Sequence, residues 1–329
     1  MHMPPPHRRI RNRRRVLPRG LLPVLALAVA GVASAAYTRR KSAEAEAENP
    51  PTGRFVHVDG MRLHYVERGS GQPLVLIHGN TMMGLDFLLS DLVRMAQPHY
   101  RVIVIDRPGY GHSSPPRDAR GWTPERQAQV IHQALRRIGV DEALVVGHSW
   151  GAMVAAALAL NHPQMVRGLV LESGYYFPRP RFDILMRAPN VAPVLGGMLR
   201  HSVSPVVHRM AWPLMARMLF APAPVPRHFW RFPAWMAFRP EQLRAQAAEM
   251  AGILAAAERL APRYADLEVP LVILAGRDDA FVRTADHSAR LAALLPQAEF
   301  RQFAGVGHMM HHLIPQEILA AVATVNRER

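Results

Sequence analysis

Five short apolar runs recur along the chain: PLVLIHG (73–79), RVIVIDR (101–107), ALVVGHS (143–149), GLVLES (168–173) and PLVILAG (270–276). Each is nearly continuous rather than alternating, as in a strand buried on both faces of a sheet. EFRQFAG (299–305) reads as a last strand. Helical segments separate them. In TPERQAQVIHQALRRIG (123–139), Thr123 suits the N-cap and Pro124 the first helical position. Trp150 to Asn161 and a closing segment from about Ile314 also read as helices. Upstream, FVHVDGMRLHYVERG alternates about Asp59-Gly60, the pattern of an antiparallel hairpin. Strand and helix in repetition predict an α/β fold, a mostly parallel sheet flanked by helices. No internal repeat is visible.

Residues 175–262 break that rhythm. They are rich in Pro, Met and aromatic residues and show no strand pattern. At this length the segment exceeds an ordinary crossover, so it is expected to be a helical lid inserted into a core of residues 54–174 and 263–329.

Residues 1–53 carry a different signal. The chain's net charge of +15 would suggest nucleic acid, but nine Arg, one Lys and no acid fall in residues 1–41. The rest holds 30 basic and 25 acidic groups, with no basic face to meet a nucleic acid. RRIRNRRRVLPRG (8–20) precedes an uncharged stretch, LLPVLALAVAGVASAAY (21–37). This reads as an uncleaved membrane anchor, a cleaved export signal ending near Ala33-Ser34-Ala35, or a basic tail. Asn12-Arg13-Arg14-Arg15-Val16-Leu17 loosely resembles a twin-arginine signal. Anchor and signal both leave the body on the non-cytoplasmic side, though Arg39-Arg40-Lys41 oppose that orientation. Residues 42–53 read as a polar linker. With no cysteine in the chain, disulfides, thiolate metal sites and a cysteine nucleophile are excluded.

Gly147-His148-Ser149-Trp150-Gly151 fits the G-x-S-x-G elbow, between a β-branched strand and an Ala-rich helix. A serine hydroxyl attacks only when a base takes its proton. Among seventeen histidines, position selects His308, in the GVGH loop after the last strand. His311 and His312 should lie on or beside the closing helix. For the orienting carboxylate, GRDD (276–279) offers Asp279, three residues after its glycine; Glu172, at the end of GLVLES, is a second candidate. The order Ser149, Asp279, His308 is the one expected for this elbow. An oxyanion formed on attack needs donors: the backbone N–H of Trp150 and that of Asn80 in HGN (78–80). No cofactor is implied, and the spacing of His308 to His311 is a poor zinc signal without a third ligand.

These motifs, with DRPGYGHS (106–113), resemble the α/β-hydrolase fold superfamily, in its lid-bearing branches, over roughly residues 55–326. The resemblance implies that Asp106 to Ser113 shapes a loop beside the site. HGN with a Trp after the nucleophile is reminiscent of dehalogenases, where the equivalent Asn and Trp hold halide. Those enzymes and epoxide hydrolases attack with aspartate; this chain has Ser149. The expectation is therefore a serine hydrolase acting on a small-molecule carboxylic ester with an apolar portion. The alternatives are a carbon–carbon bond hydrolase with the same triad and a non-catalytic, membrane-tethered relative.

Overall fold

The computed structural model describes residues 21–116, 122–179 and 195–327. Eight strands form one sheet: β1 (Arg54–Val58), β2 (Met61–Arg68), β3 (Gln72–Ile77), β4 (Tyr100–Ile105), β5 (Ala143–His148), β6 (Val166–Glu172), β7 (Leu271–Gly276) and β8 (Glu299–Phe303). Their order is β1-β2-β4-β3-β5-β6-β7-β8. The expected hairpin is β1–β2: Asp59 and Gly60 both take positive φ, which joins Val58 to Met61 across a tight turn. β2 also runs antiparallel to β4, and every later pairing is parallel. The apolar runs predicted this: β5 and β7 are buried along their whole lengths.

The longer helices are α1 (Leu21–Glu48), α2 (Pro124–Arg137), α3 (Trp150–Asn161), α4 (Val203–Phe220), α5 (Pro240–Leu260) and α6 (Pro315–Arg327). α2 begins as its sequence requires, with the Thr123 side chain accepting from Arg126 N. α3 packs into one face of the sheet with Ile77, Val145 and Leu171, while α6 buries Ile318, Val322 and Val325 against the other with Leu76, Val146 and Val272. Between β6 and β7 the described residues hold helices and no strand. The aromatics of this segment are mostly its core: Trp212, Phe220, Phe229, Phe232 and Phe238 are buried together with Met83 and Met309.

The N-terminal reading changes. The expected linker at 42–53 is helical as far as Glu48, because SAEAEAE is made of good helix formers and Glu44 accepts from both Arg40 and Lys41. α1 packs on the lid: Ser34 and Thr38 donate to the carbonyl of Ser202, and Tyr37 meets Trp235 edge to face. The expected membrane-crossing segment finds no support, since among the described residues no helix is long and apolar enough to cross a membrane. Residues 1–20 lie outside the described residues.

Candidate active site

Parallel strands deliver their following loops to one edge of the sheet, and the predicted residues sit on those loops. Ser149, between β5 and α3, has φ 55° and ψ −117°, a strained backbone for a residue with a Cβ. The strain is tolerable because the neighbours are glycines. A Cβ on Gly147 would come within 2.5 Å of the Gly151 carbonyl oxygen, and one on Gly151 within 2.1 Å of that of Ile77. The absence of a side chain at Gly151 lets the start of α3 lie close to the end of β3, and Trp150 and Asn80 line the same cavity.

His308 and Asp279 are joined as predicted. His308 Nδ1 donates to Asp279 Oδ2 at 2.7 Å, and the pair is buried. The other oxygen, Oδ1, accepts from the backbone N–H groups of Phe281 and Val282, both at 2.8 Å, which fixes the carboxylate before any substrate arrives. The backbone N–H of His308 donates to Leu219 O at the end of α4, so the lid grips the histidine loop.

Ser149, Trp150, Asn80 and His308 line one partly enclosed cavity with about 570 Å³ of empty space, its mouth included. Its apolar wall is built from Met215, Leu219, Met250, Ile253, Phe281 and Val282. The Trp150 indole N–H is buried beside it without a hydrogen-bond partner among the described residues.

Glu172, the second candidate acid, is committed elsewhere. It accepts from His311, both from Nδ1 at 2.8 Å and from the backbone N–H at 2.9 Å. His311 Nε2 donates in turn to Asp86, which also accepts from His312 Nε2 at 2.9 Å. Glu172, Asp86 and His311 are fully buried. Burial opposes the charge on His311, but the charges of Glu172 and Asp86 outweigh it and raise its pKa to about 10. Burial opposes both carboxylates' charges as well; His311 nevertheless holds each below its ordinary range. His148, beside the serine, is instead lowered to about 3, mainly by burial. It is neutral, and its Nε2–H donates to the carbonyl of His308. Asp86, His148 and His311 offer ligand atoms within 4.8 Å of one another. Two of them already share a 3.0 Å hydrogen bond, so the cluster is held by protons.

Sequence reasoning missed Arg107 and Glu249. Arg107, fully buried, donates through Nε to His78 O at 2.8 Å and through Nη2 to Gly79 O at 3.0 Å. Its guanidinium is paired with Glu249 of α5. Glu249 also accepts from Tyr110 at 2.6 Å and from the Asn80 carboxamide at 2.9 Å. C=O and N–H point oppositely across a trans peptide, so pinning Gly79 O toward Arg107 aims the Asn80 N–H the other way. Asp106, in the same loop, accepts from His64 and from Gly84 N, the loop-shaping role expected of it. The signal for Arg107 was its place in DRPGYGHS; no sequence spacing points to Glu249.

A model of the alpha/beta hydrolase fold matches residues 72–313. Haloalkane dehalogenase 2 of Mycobacterium tuberculosis is 28% identical over 278 residues, 79% of this chain and 90% of that protein. The 2-hydroxy-6-oxononadienedioate/2-hydroxy-6-oxononatrienedioate hydrolase of Paraburkholderia phymatum is 29% identical over 274 residues, 78% of this chain and 89% of that one. Among solved structures, a thermophilic esterase from Thermogutta terrifontis superposes with a TM-score of 0.68 at 21% identity, covering 83% of this chain and all of that one. The chain belongs to the α/β-hydrolase fold family and is an enzyme of the hydrolase class.

Proposed function

We propose that the chain is a serine hydrolase acting on small carboxylic esters with an apolar portion. Ser149 Oγ attacks the ester carbonyl as His308 takes its proton. Asp279 holds the imidazole in the tautomer that leaves Nε2 open, and the N–H groups of Asn80 and Trp150 receive the oxyanion. Collapse expels the alcohol, which takes the proton from His308. Water, activated by the same histidine, then frees the acid from Ser149. The observation that carries this reading is the 2.7 Å pair of His308 and Asp279 lining one cavity with a serine held at positive φ.

A dehalogenase reading is unattractive despite the sequence likeness. Displacement of halide by Ser149 would leave an alkyl ether, which has no carbonyl-type carbon for water to attack. Carbon–carbon bond hydrolysis is the second reading, favoured by the 29% identity to a relative named for a dienedioate substrate. Turnover of an ester series set against a vinylogous diketone separates the two.

A fluorophosphonate probe tests the nucleophile directly. The native protein should be labelled and Ser149→Ala should not; equal labelling of both would remove Ser149 from the mechanism.

A further inference from the structure

The outer face of the lid is apolar where water would favour polar residues. Along α4, Val203, Val207, Met210, Leu214 and Met218 recur at steps of three and four and are all exposed, Met210 to 77%. Such steps make one stripe along a helix. The opposite side of the same helix turns Met215 and Leu219 to the catalytic cavity. Leu195 and Met198, also exposed, extend the stripe on the preceding helix. At that end α1 is tied to the start of α4 through Ser202. Beyond the tie, Val24, Leu25, Leu27, Val29 and Val32 are exposed, and their positions run around the helix rather than along one side. Apolar surface on this scale calls for a cover.

The charges say what kind. From Leu195 to Pro240 the sequence holds six arginines and no Asp or Glu. Arg209, Arg217, Arg227 and Arg231 are exposed. Of the acids on α1, Glu44 is paired with Arg40 and Lys41, and Glu46 with Arg239; Glu48 is the third. A second copy docked by two-fold symmetry would set this positive face against itself. A bilayer surface with anionic headgroups satisfies both features, taking the stripe into its acyl boundary and the arginines at its headgroups. We infer that the outer face of the lid, centred on α4, docks on an anionic lipid surface. The catalytic cavity then stands one helix away from the lipid. This inference does not rest on the assignment of Ser149.

The absence of cysteine makes the test clean. Met210→Cys and Leu214→Cys, each in the full chain, carry an environment-sensitive nitrobenzoxadiazole label. Glu268→Cys, exposed just before β7, is the control. Vesicles of phosphatidylcholine with phosphatidylglycerol should blue-shift and brighten the label at 210 and 214 but not at 268. Raised salt should weaken the response. No shift at 210 and 214, including the case in which the protein binds vesicles through α1 alone, overturns the proposal. So does a shift equal to that at 268, an equal response to pure phosphatidylcholine, or one that grows with protein concentration without lipid. Ester turnover of the unlabelled variants, expected to match the native protein, checks that the lid is intact.

Discussion

His308 and His311 stand three residues apart, both buried and both hydrogen-bonded to carboxylates, yet their surroundings suit them to different work. His308 meets one carboxylate, at Nδ1, and borders the cavity. His311 meets two, one at each ring nitrogen. An imidazole with one carboxylate keeps a nitrogen to exchange a proton with substrate. An imidazole between two has both protons committed, and the paired negative charges keep them there. The first arrangement suits the base of the proposed mechanism; the second is a cationic strut that ties the end of β6 to the short helix carrying Asp86. The number of carboxylates, more than burial or nearness to the serine, separates the two histidines.

The largest expected effect tests that distinction directly. His308→Asn should lower kcat by about four orders of magnitude or more with little change in melting temperature. His311→Asn should do the reverse. It removes the partner of two buried carboxylates, costing on the order of 3–5 kcal/mol in stability, while the folded fraction turns over within about tenfold of native. Steady-state kinetics and urea melts on both variants decide the matter; folded His311→Asn with the rate of His308→Asn would erase the contrast. The carboxylates give the matching pair. Asp279→Asn should cost about 10⁴ in kcat by presenting the wrong tautomer, whereas Glu172→Gln should stay within about tenfold, because Glu172 serves His311.

The pairing of His308 with Asp279 was legible because the chain fixes both by position: each follows a recognisable strand, and parallel strands send their loops to one edge. The strands themselves were legible from apolar runs short and continuous enough to be buried strands, and the helical insertion from a long segment without such runs; the order of the strands in the sheet was not. The strut was not. His311 and Asp86 are 225 residues apart in sequence, and no local pattern marks a histidine whose partners come from two other elements. Glu249 was hidden likewise, as one polar residue on a long helix. The end of α1 was misjudged because its Ala/Glu composition suits a helix and a solvated linker alike, and packing on the lid decided between them.

A third buried cluster sharpens the comparison from the oxyanion side. Arg107 and Glu249 touch neither histidine, but Arg107 holds the peptide that carries the Asn80 N–H. Replacing the pair together, Arg107→Met with Glu249→Met, removes that hold while leaving no lone buried charge, an exchange that often spares stability. We expect kcat to fall by about 10²-fold, the scale of one lost oxyanion donor, with KM changing much less. A folded double variant with native kcat would make the pair a structural element alone.

The smallest effect is a pH dependence that belongs to the strut. The pKa of His311 is raised from 6.5 to about 10 in the folded chain. The native state therefore binds the proton more tightly than the unfolded one. The resulting stabilisation is fully present below about pH 6.5 and is lost as pH rises through 10. Asp86 and Glu172 are shifted down, so their contribution is present above their ordinary values near 4 and is lost only as pH falls below that. Measured against His311→Asn, the native chain's stability advantage should thus hold level between about pH 5 and 6.5 and shrink steadily from 7 to 10. An advantage that stayed constant up to pH 10 would mean His311 is neutral in the fold, and its two carboxylates would then need another source of positive charge.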